Sequence, residues 1–190
     1  MNKQIKLRSI LFIIIVIVAI VIPTSIVLAD EEDGYIYNGL KWNSNPVNYY
    51  HMDIDDFNIR TAITQAAYTW NAADADHNMY YSSATNNKWI WVELGDYVPA
   101  YTLTYPSGGY IIKNITWLNE ELEWSTDGTP CGTEFDAETV AVHEFGHWLH
   151  LGDLEEEYNE DEVMYEIINP GHVHRDLGSG DEAGIEYIYP

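Results

Sequence analysis

Two histidines four residues apart, His143 and His147, with Glu144 directly after the first, are the residues of this chain best placed to do chemistry. On a helix, positions i and i+4 share a face, so both imidazoles can reach one metal ion. The Glu144 carboxylate then lies beside that ion and can take a proton from metal-held water. The helix positions around them are apolar: Val140, Ala141, Val142, Phe145, Trp148 and Leu149. Three polar side chains in so apolar a stretch need a compensating partner, and a metal supplies one. The pattern predicts a metal-dependent hydrolase.

A catalytic zinc takes three protein ligands and keeps one position open for water. His150 shares the helical face but lies roughly 7.5 Å of helix rise past the level of the metal. Asp153 is better placed if the helix stops and the chain turns back beneath the ion, with Gly152 supplying freedom for the turn. A rival arrangement takes its third ligand from farther downstream, at Glu166 or Glu182.

The string His143-Glu144-x-x-His147-x-x-x-x-x-Asp153 resembles the extended zinc motif of the metzincin peptidases, whose third ligand is usually histidine and in the snapalysins is aspartate. The wording His143-Glu144-Phe145-Gly146-His147-x-Leu149-x-Leu151-Gly152 is most similar to the matrixin branch. The resemblance covers residues 42–190 and is strongest after Phe135. Ala62 to Ala72 is similar to the first matrixin helix, and Asp181 to Ile185 to the closing helix of small bacterial matrixin-like proteins.

The resemblance implies a zinc endopeptidase in which His143, His147 and Asp153 hold Zn2+ and Glu144 is the general base. Met164, 11 residues after Asp153, would form a hydrophobic floor under the metal in a Met-turn. It implies an α+β catalytic domain with a twisted, mostly parallel sheet, an active-site helix and a closing C-terminal helix. A protein or peptide substrate would add as a strand along a sheet edge, for which Tyr101–Tyr105 is the candidate. Ca2+ is a further candidate cofactor, since matrixins often hold it. An aspartate ligand leaves the site less positive than three histidines would, so a less acidic bound water and a higher pH optimum are expected.

Two departures from the family stand out. His150 occupies a position where matrixins carry a glycine in left-handed backbone. Between Ala29 and Lys41 there is no room for an inhibitory segment, and Pro130-Cys131-Gly132 is read as a chance echo of the matrixin inhibitory cysteine motif.

The elements that must position the site follow from periodicity. Asp56 can cap a helix from Phe57 to about Ala73, with an apolar stripe at Ile59, Ala62, Ile63, Ala66, Ala67 and Trp70. Val47–Tyr50, Trp89–Leu94, Tyr101–Tyr105 and Tyr110–Leu118 read as strands. Asp136 can cap the motif helix, expected to run to about Leu149. Ser179 with Glu182 forms a capping-box pattern opening a last helix toward Tyr189.

Residues 1–29 read as an export signal. Lys3, Lys6 and Arg8 precede an apolar run of 13 residues, Ile10–Ile22, and Val27-Leu28-Ala29 offers a cleavage site. The alternative is an uncleaved anchor to the outer face of a membrane, since Ile10 to Ala29 is about the 20 residues that span a bilayer. Residues 30–41 are expected as an acidic flexible tail and 42–190 as the catalytic domain. The expected location is secreted and extracellular, and the expected state a monomer.

The chain carries a formal charge of −23, and loss of residues 1–29 with their three basic groups would make it −26. Such a charge excludes electrostatic binding to nucleic acid or anionic lipid and favours solubility. The single cysteine, Cys131, cannot form an internal disulfide and is expected to be free and partly buried. His172 and His174 are expected as exposed loop histidines, and Glu155–Glu162 as a solvated acidic loop without the spacing of a helix-loop-helix calcium site. Asn114-Ile115-Thr116 fits a glycosylation pattern but falls inside a strand. The functional alternative to a peptidase is an exported zinc-binding module or an inactive metzincin relative.

Overall fold

The computed structural model describes residues 31–190 apart from Asp53, Asp96 and Tyr97, so the export signal expected at residues 1–29 lies outside the described residues. The first half runs β1 (Ile36–Tyr37), β2 (Lys41–Trp42), β3 (Val47–Met52), α1 (Phe57–Asn71), β4 (Met79–Tyr81) and β5 (Lys88–Val92). It continues as β6 (Ala100–Ser107), β7 (Tyr110–Asn119), β8 (Trp124–Ser125), β9 (Phe135–Asp136), α2 (Ala137–Trp148), β10 (Leu151–Gly152) and α3 (Ser179–Ile188). This is the expected α+β domain. Strands β2, β3, β4, β5 and β7 run parallel in a six-stranded sheet, and β6 alone is antiparallel, hydrogen-bonded to β7.

Helix α1 forms where its apolar period demands, and all six residues of the stripe are buried. The Asp56 carboxylate caps it by accepting from the N–H groups of Asn58 and Ile59. Trp70 donates its indole N–H to the Val142 carbonyl at 2.8 Å, which locks α1 against α2. Helix α2 in turn lies on the sheet through aromatic contacts, with Phe145 against Trp89 at 4.8 Å and Tyr49 at 5.2 Å between ring centroids. The motif helix is thereby clamped between another helix and the sheet.

Two features differ from expectation. Residues 31–40 do not form a loose acidic tail: β1 pairs antiparallel with β10, Ile36 opposite Gly152 and Tyr37 opposite Leu151. The last helix is capped one residue earlier than the Ser179/Glu182 pattern implies. Gly178 is its N-cap, and Asp181 accepts from the Gly178 N–H at 2.9 Å. Asp181 wins that role because it is fully buried and also accepts from the N–H groups of Val163 and Met164. One carboxylate thus joins α3 to the segment beneath the motif helix.

Candidate metal centre

Helix α2 begins at Asp136, whose carboxylate accepts from Thr139 N–H at 2.9 Å and is gripped by Arg175 through Nε at 2.9 Å and Nη2 at 2.6 Å. The Asp136 hydrogen bonds and charge raise the pKa of that guanidinium against the lowering effect of its burial. At the other end, the Trp148 carbonyl accepts from the Trp42 indole at 2.8 Å and from Asn114 Nδ2 at 3.2 Å. These partners satisfy a carbonyl that a helix end leaves open. They also commit the Asn114 amide inside the core, where no glycan can reach it.

Between these anchors, His143 and His147 present Nε2 to one point. Asp153 Oδ1 lies 3.2 Å from the first and 3.3 Å from the second. All three ligand atoms fall within 4.8 Å of one another, and among the described residues this is the sole group of three or more able to hold a metal ion. Glu166 and Glu182 do not join it. The opposite ring nitrogens are engaged: His143 Nδ1 with the Val163 carbonyl at 2.8 Å, His147 Nδ1 with the Leu151 carbonyl at 3.1 Å. A carbonyl requires a donor, so Nδ1 carries hydrogen and the Nε2 lone pair is left for a cation. The donor set of two imidazoles and one carboxylate suits zinc. Without a metal, burial opposes protonation of His147, but Asp153 and Glu144 outweigh it and raise its pKa to about 9. The two histidines hold the Asp153 carboxyl far below its ordinary value, despite burial.

The turn back to Asp153 is made at His150, with φ of 72°. Its N–H bonds the His147 carbonyl at 3.0 Å, as expected for the first residue past a helix end. Left-handed backbone costs a non-glycine residue on the order of 1 kcal/mol. The expectation that Gly152 would free the turn is corrected. Gly152 is needed instead for close approach, because a Cβ there would sit 2.9 Å from Ile36 Cγ2. His150 does not join the ligands. Its Nδ1 accepts from the Leu40 N–H at 3.2 Å, and burial lowers its pKa to about 4, keeping the ring neutral for that role.

Met164 is fully buried beneath α2. A Cβ at Gly146 would lie 2.1 Å from Met164 Sδ and 3.1 Å from Trp70 Cζ2, so the glycine inside the motif is what lets the methionine approach.

Glu144 is buried, and its Oε2 accepts from the Thr102 hydroxyl at 2.5 Å. Thr102 Oγ1 is 2.6 Å from Thr116 Oγ1, which accepts from the Trp148 indole at 2.7 Å. The donors therefore run in one direction, from Trp148 through Thr116 and Thr102 to the carboxylate. Sequence reading missed Thr102 and Thr116. A signal for Thr102 was available in the alternation of β6, where a small hydroxyl residue sits between the aromatic and aliphatic Tyr101 and Leu103; Thr116 lies opposite it on β7. Strand β6 pairs with β7 on one edge and with no described strand on the other. Residues Ala100–Thr104 of β6 line a cleft of about 720 Å³ together with His143, Glu144, His147 and Asp153. A second hollow of about 330 Å³ adjoins it past His143 and Glu144, walled by Pro99, Ala100 and Glu166–Ile168.

Other expected site features resolve differently. Cys131 is exposed rather than partly buried. His172 is exposed, while His174 is half-buried, with Nε2 beside the Asp161 carbonyl at 3.1 Å. The acidic loop is not solvated throughout, since Glu162 is buried and accepts from Asp181 N–H.

Fold and site together define an α+β domain with a His-His-Asp clamp on its central helix. Residues 41–190 match the matrixin family, and the chain belongs to it. Among curated proteins it is similar to the metalloendoproteinase 5-MMP of Arabidopsis thaliana, 38% identical over 73 residues, which cover 38% of this chain and 19% of that protein. It is also similar to the metalloendoproteinase 2-MMP of the same plant, 44% identical over 54 residues, covering 28% and 14%. The matched stretch therefore spans less than a fifth of either relative.

Proposed function

We propose that this chain is a secreted zinc-dependent endopeptidase, with residues 1–29 acting as its export signal. The observation that carries the reading is the convergence of His143 Nε2, His147 Nε2 and Asp153 Oδ1 beside a buried glutamate. Membership of the matrixin family and likeness to two proteins described as metalloendoproteinases support it.

His143, His147 and Asp153 would hold zinc, over a floor formed by Met164. Bound zinc would supply a Lewis acid for the scissile carbonyl and lower the pKa of water. Glu144 takes a proton from the attacking water as its oxygen bonds to the carbonyl carbon. The same carboxyl then delivers that proton to the amine nitrogen as the C–N bond breaks. Thr102 keeps one oxygen of Glu144 occupied, so the other is the one that handles the proton. The edge of β6 that pairs with no described strand offers backbone N–H and C=O groups to an extended peptide, which would lie along the cleft as an added strand.

The test is metal analysis with a chelator-sensitive cleavage assay on a casein-type substrate. Glu144→Gln should keep its zinc and lose activity by about two orders of magnitude or more, whereas Asp153→Ala should lose zinc. Undiminished cleavage by Glu144→Gln would sink the catalytic assignment. Zinc-loaded wild-type protein that cleaves no peptide in a diverse library would instead favour a binding module. Amino-terminal sequencing of the exported protein tests the signal, with Asp30 expected as the first residue.

A further inference from the structure

We infer that His150 is a positioning residue for the third metal ligand, clasping residues 36–40 against the turn that carries Asp153; this rests on the ligand role proposed for Asp153. The Asp153 side chain is half exposed, and its described polar contacts are the two histidines alone. Its place therefore depends on how firmly the backbone of residues 150–156 is held.

On one side that backbone is tied to the segment after α2, with Leu154 N–H donating to the Met164 carbonyl at 2.9 Å and Glu166 N–H to the Leu154 carbonyl at 3.0 Å. On the other side the amino-terminal segment supplies a further set of ties. Strand β1 pairs with β10 immediately before Asp153. The Glu31 carboxylate accepts from the Glu155 and Glu156 N–H groups at 3.4 and 3.2 Å.

His150 binds this segment at two points. Its carbonyl accepts from the Asn38 N–H at 3.0 Å, and its ring from the Leu40 N–H at 3.2 Å. Only the second bond needs a side chain. Glycine would adopt a φ of 72° without strain and would keep the carbonyl, but it would leave the Leu40 N–H without its acceptor. The histidine thus accepts an unfavourable backbone conformation, and in return a strap from the far end of the sequence is buttoned to the ligand turn.

The experiment compares wild type with His150→Gly, His150→Asn and Asp153→Ala in the full chain. It reads the rate of zinc loss to a chelator, the absorption spectrum of the cobalt-substituted protein, and amide exchange at Asn38 and Leu40. Glycine fits the backbone, so His150→Gly should fold. It should lose zinc about tenfold faster, the usual consequence of removing support behind a ligand, and should expose the Leu40 amide. Asparagine tolerates left-handed backbone and carries a side-chain acceptor, so His150→Asn should recover part of both losses. Wild-type zinc retention in His150→Gly would overturn the inference, whether or not the Leu40 amide loosens. Failure of Asp153→Ala to alter zinc content or the cobalt spectrum would instead remove the ligand assignment itself.

Discussion

Thr102 donates its hydroxyl hydrogen to Oε2 of Glu144 at 2.5 Å, joining the antiparallel edge strand to the motif helix at the carboxylate proposed as the general base. A hydrogen bond to a charged group contributes about 1.5–3 kcal/mol. Thr102→Val keeps the shape and deletes the donor. It should lower kcat about tenfold with KM changed less, because the loss falls on the alignment of the proposed base rather than on the peptide. Steady-state kinetics on one fluorogenic peptide checks this, and an unchanged kcat would mean that packing alone orients Glu144.

Gly146 and Met164 make a second pair. A methyl group at position 146 would collide with Met164 Sδ, with the Trp70 ring close behind. Overpacking of this kind typically costs about 1–3 kcal/mol. Gly146→Ala should lower the denaturation midpoint accordingly, and adding Met164→Ala should return part of the loss by opening space. A double mutant less stable than either single one would refute the steric account.

Stability should fall on acidification. His77 is 3% exposed, neither of its ring nitrogens has a hydrogen-bond partner among the described residues, and its ring lies 4.2 Å from that of Tyr189. Burial lowers its pKa to about 4, against the opposing charge of Asp76; burial and then Arg60 do the same to His51. Unfolded histidine binds a proton near pH 6.5. Each ring therefore contributes stability above that pH that is lost as pH falls from 6.5 toward 4, on the order of 2 kcal/mol apiece. Asp181, pushed up to about 7 mainly by burial, works the other way and offsets part of the effect. Urea midpoints measured between pH 7.5 and 4.5 should drop, and His77→Phe should flatten the slope.

Arg175 is the sole cation among the described contacts of the buried Asp136 carboxylate, and it also reaches Glu138 Oε2 at 2.9 Å. Removing it strands a charge at the start of the motif helix. Breaking such a pair costs about 3–5 kcal/mol. Arg175→Met should be destabilised by roughly that amount, and Arg175→Met/Asp136→Asn by less. Equal stability of Arg175→Met and wild type would show that Asp136 is satisfied by the Thr139 N–H and hydroxyl alone.

Much of this site was legible in one dimension because its parts are local. The i, i+4 spacing of His143 and His147 needs only a helix, and the apolar period that builds α1 and α2 is read directly from residue order. Asp153 was reachable because ten residues from His143 leave few ways for the chain to return. The capping of α3 was misplaced by one residue for the opposite reason. Asp181 is chosen over the Ser179/Glu182 pair by the two distant N–H groups that it also serves.

Residue order alone thus determined the candidate metal ligands, the helices and four of the six strands of the main sheet, since periodicity and close spacing set them. Tertiary structure decided which groups stand behind that chemistry. Thr102 is 42 residues from Glu144, and Leu40 is 110 residues from His150. Hydrogen bonds between residues so far apart are set by how sheet, helix and amino-terminal segment pack together, and no local pattern encodes them.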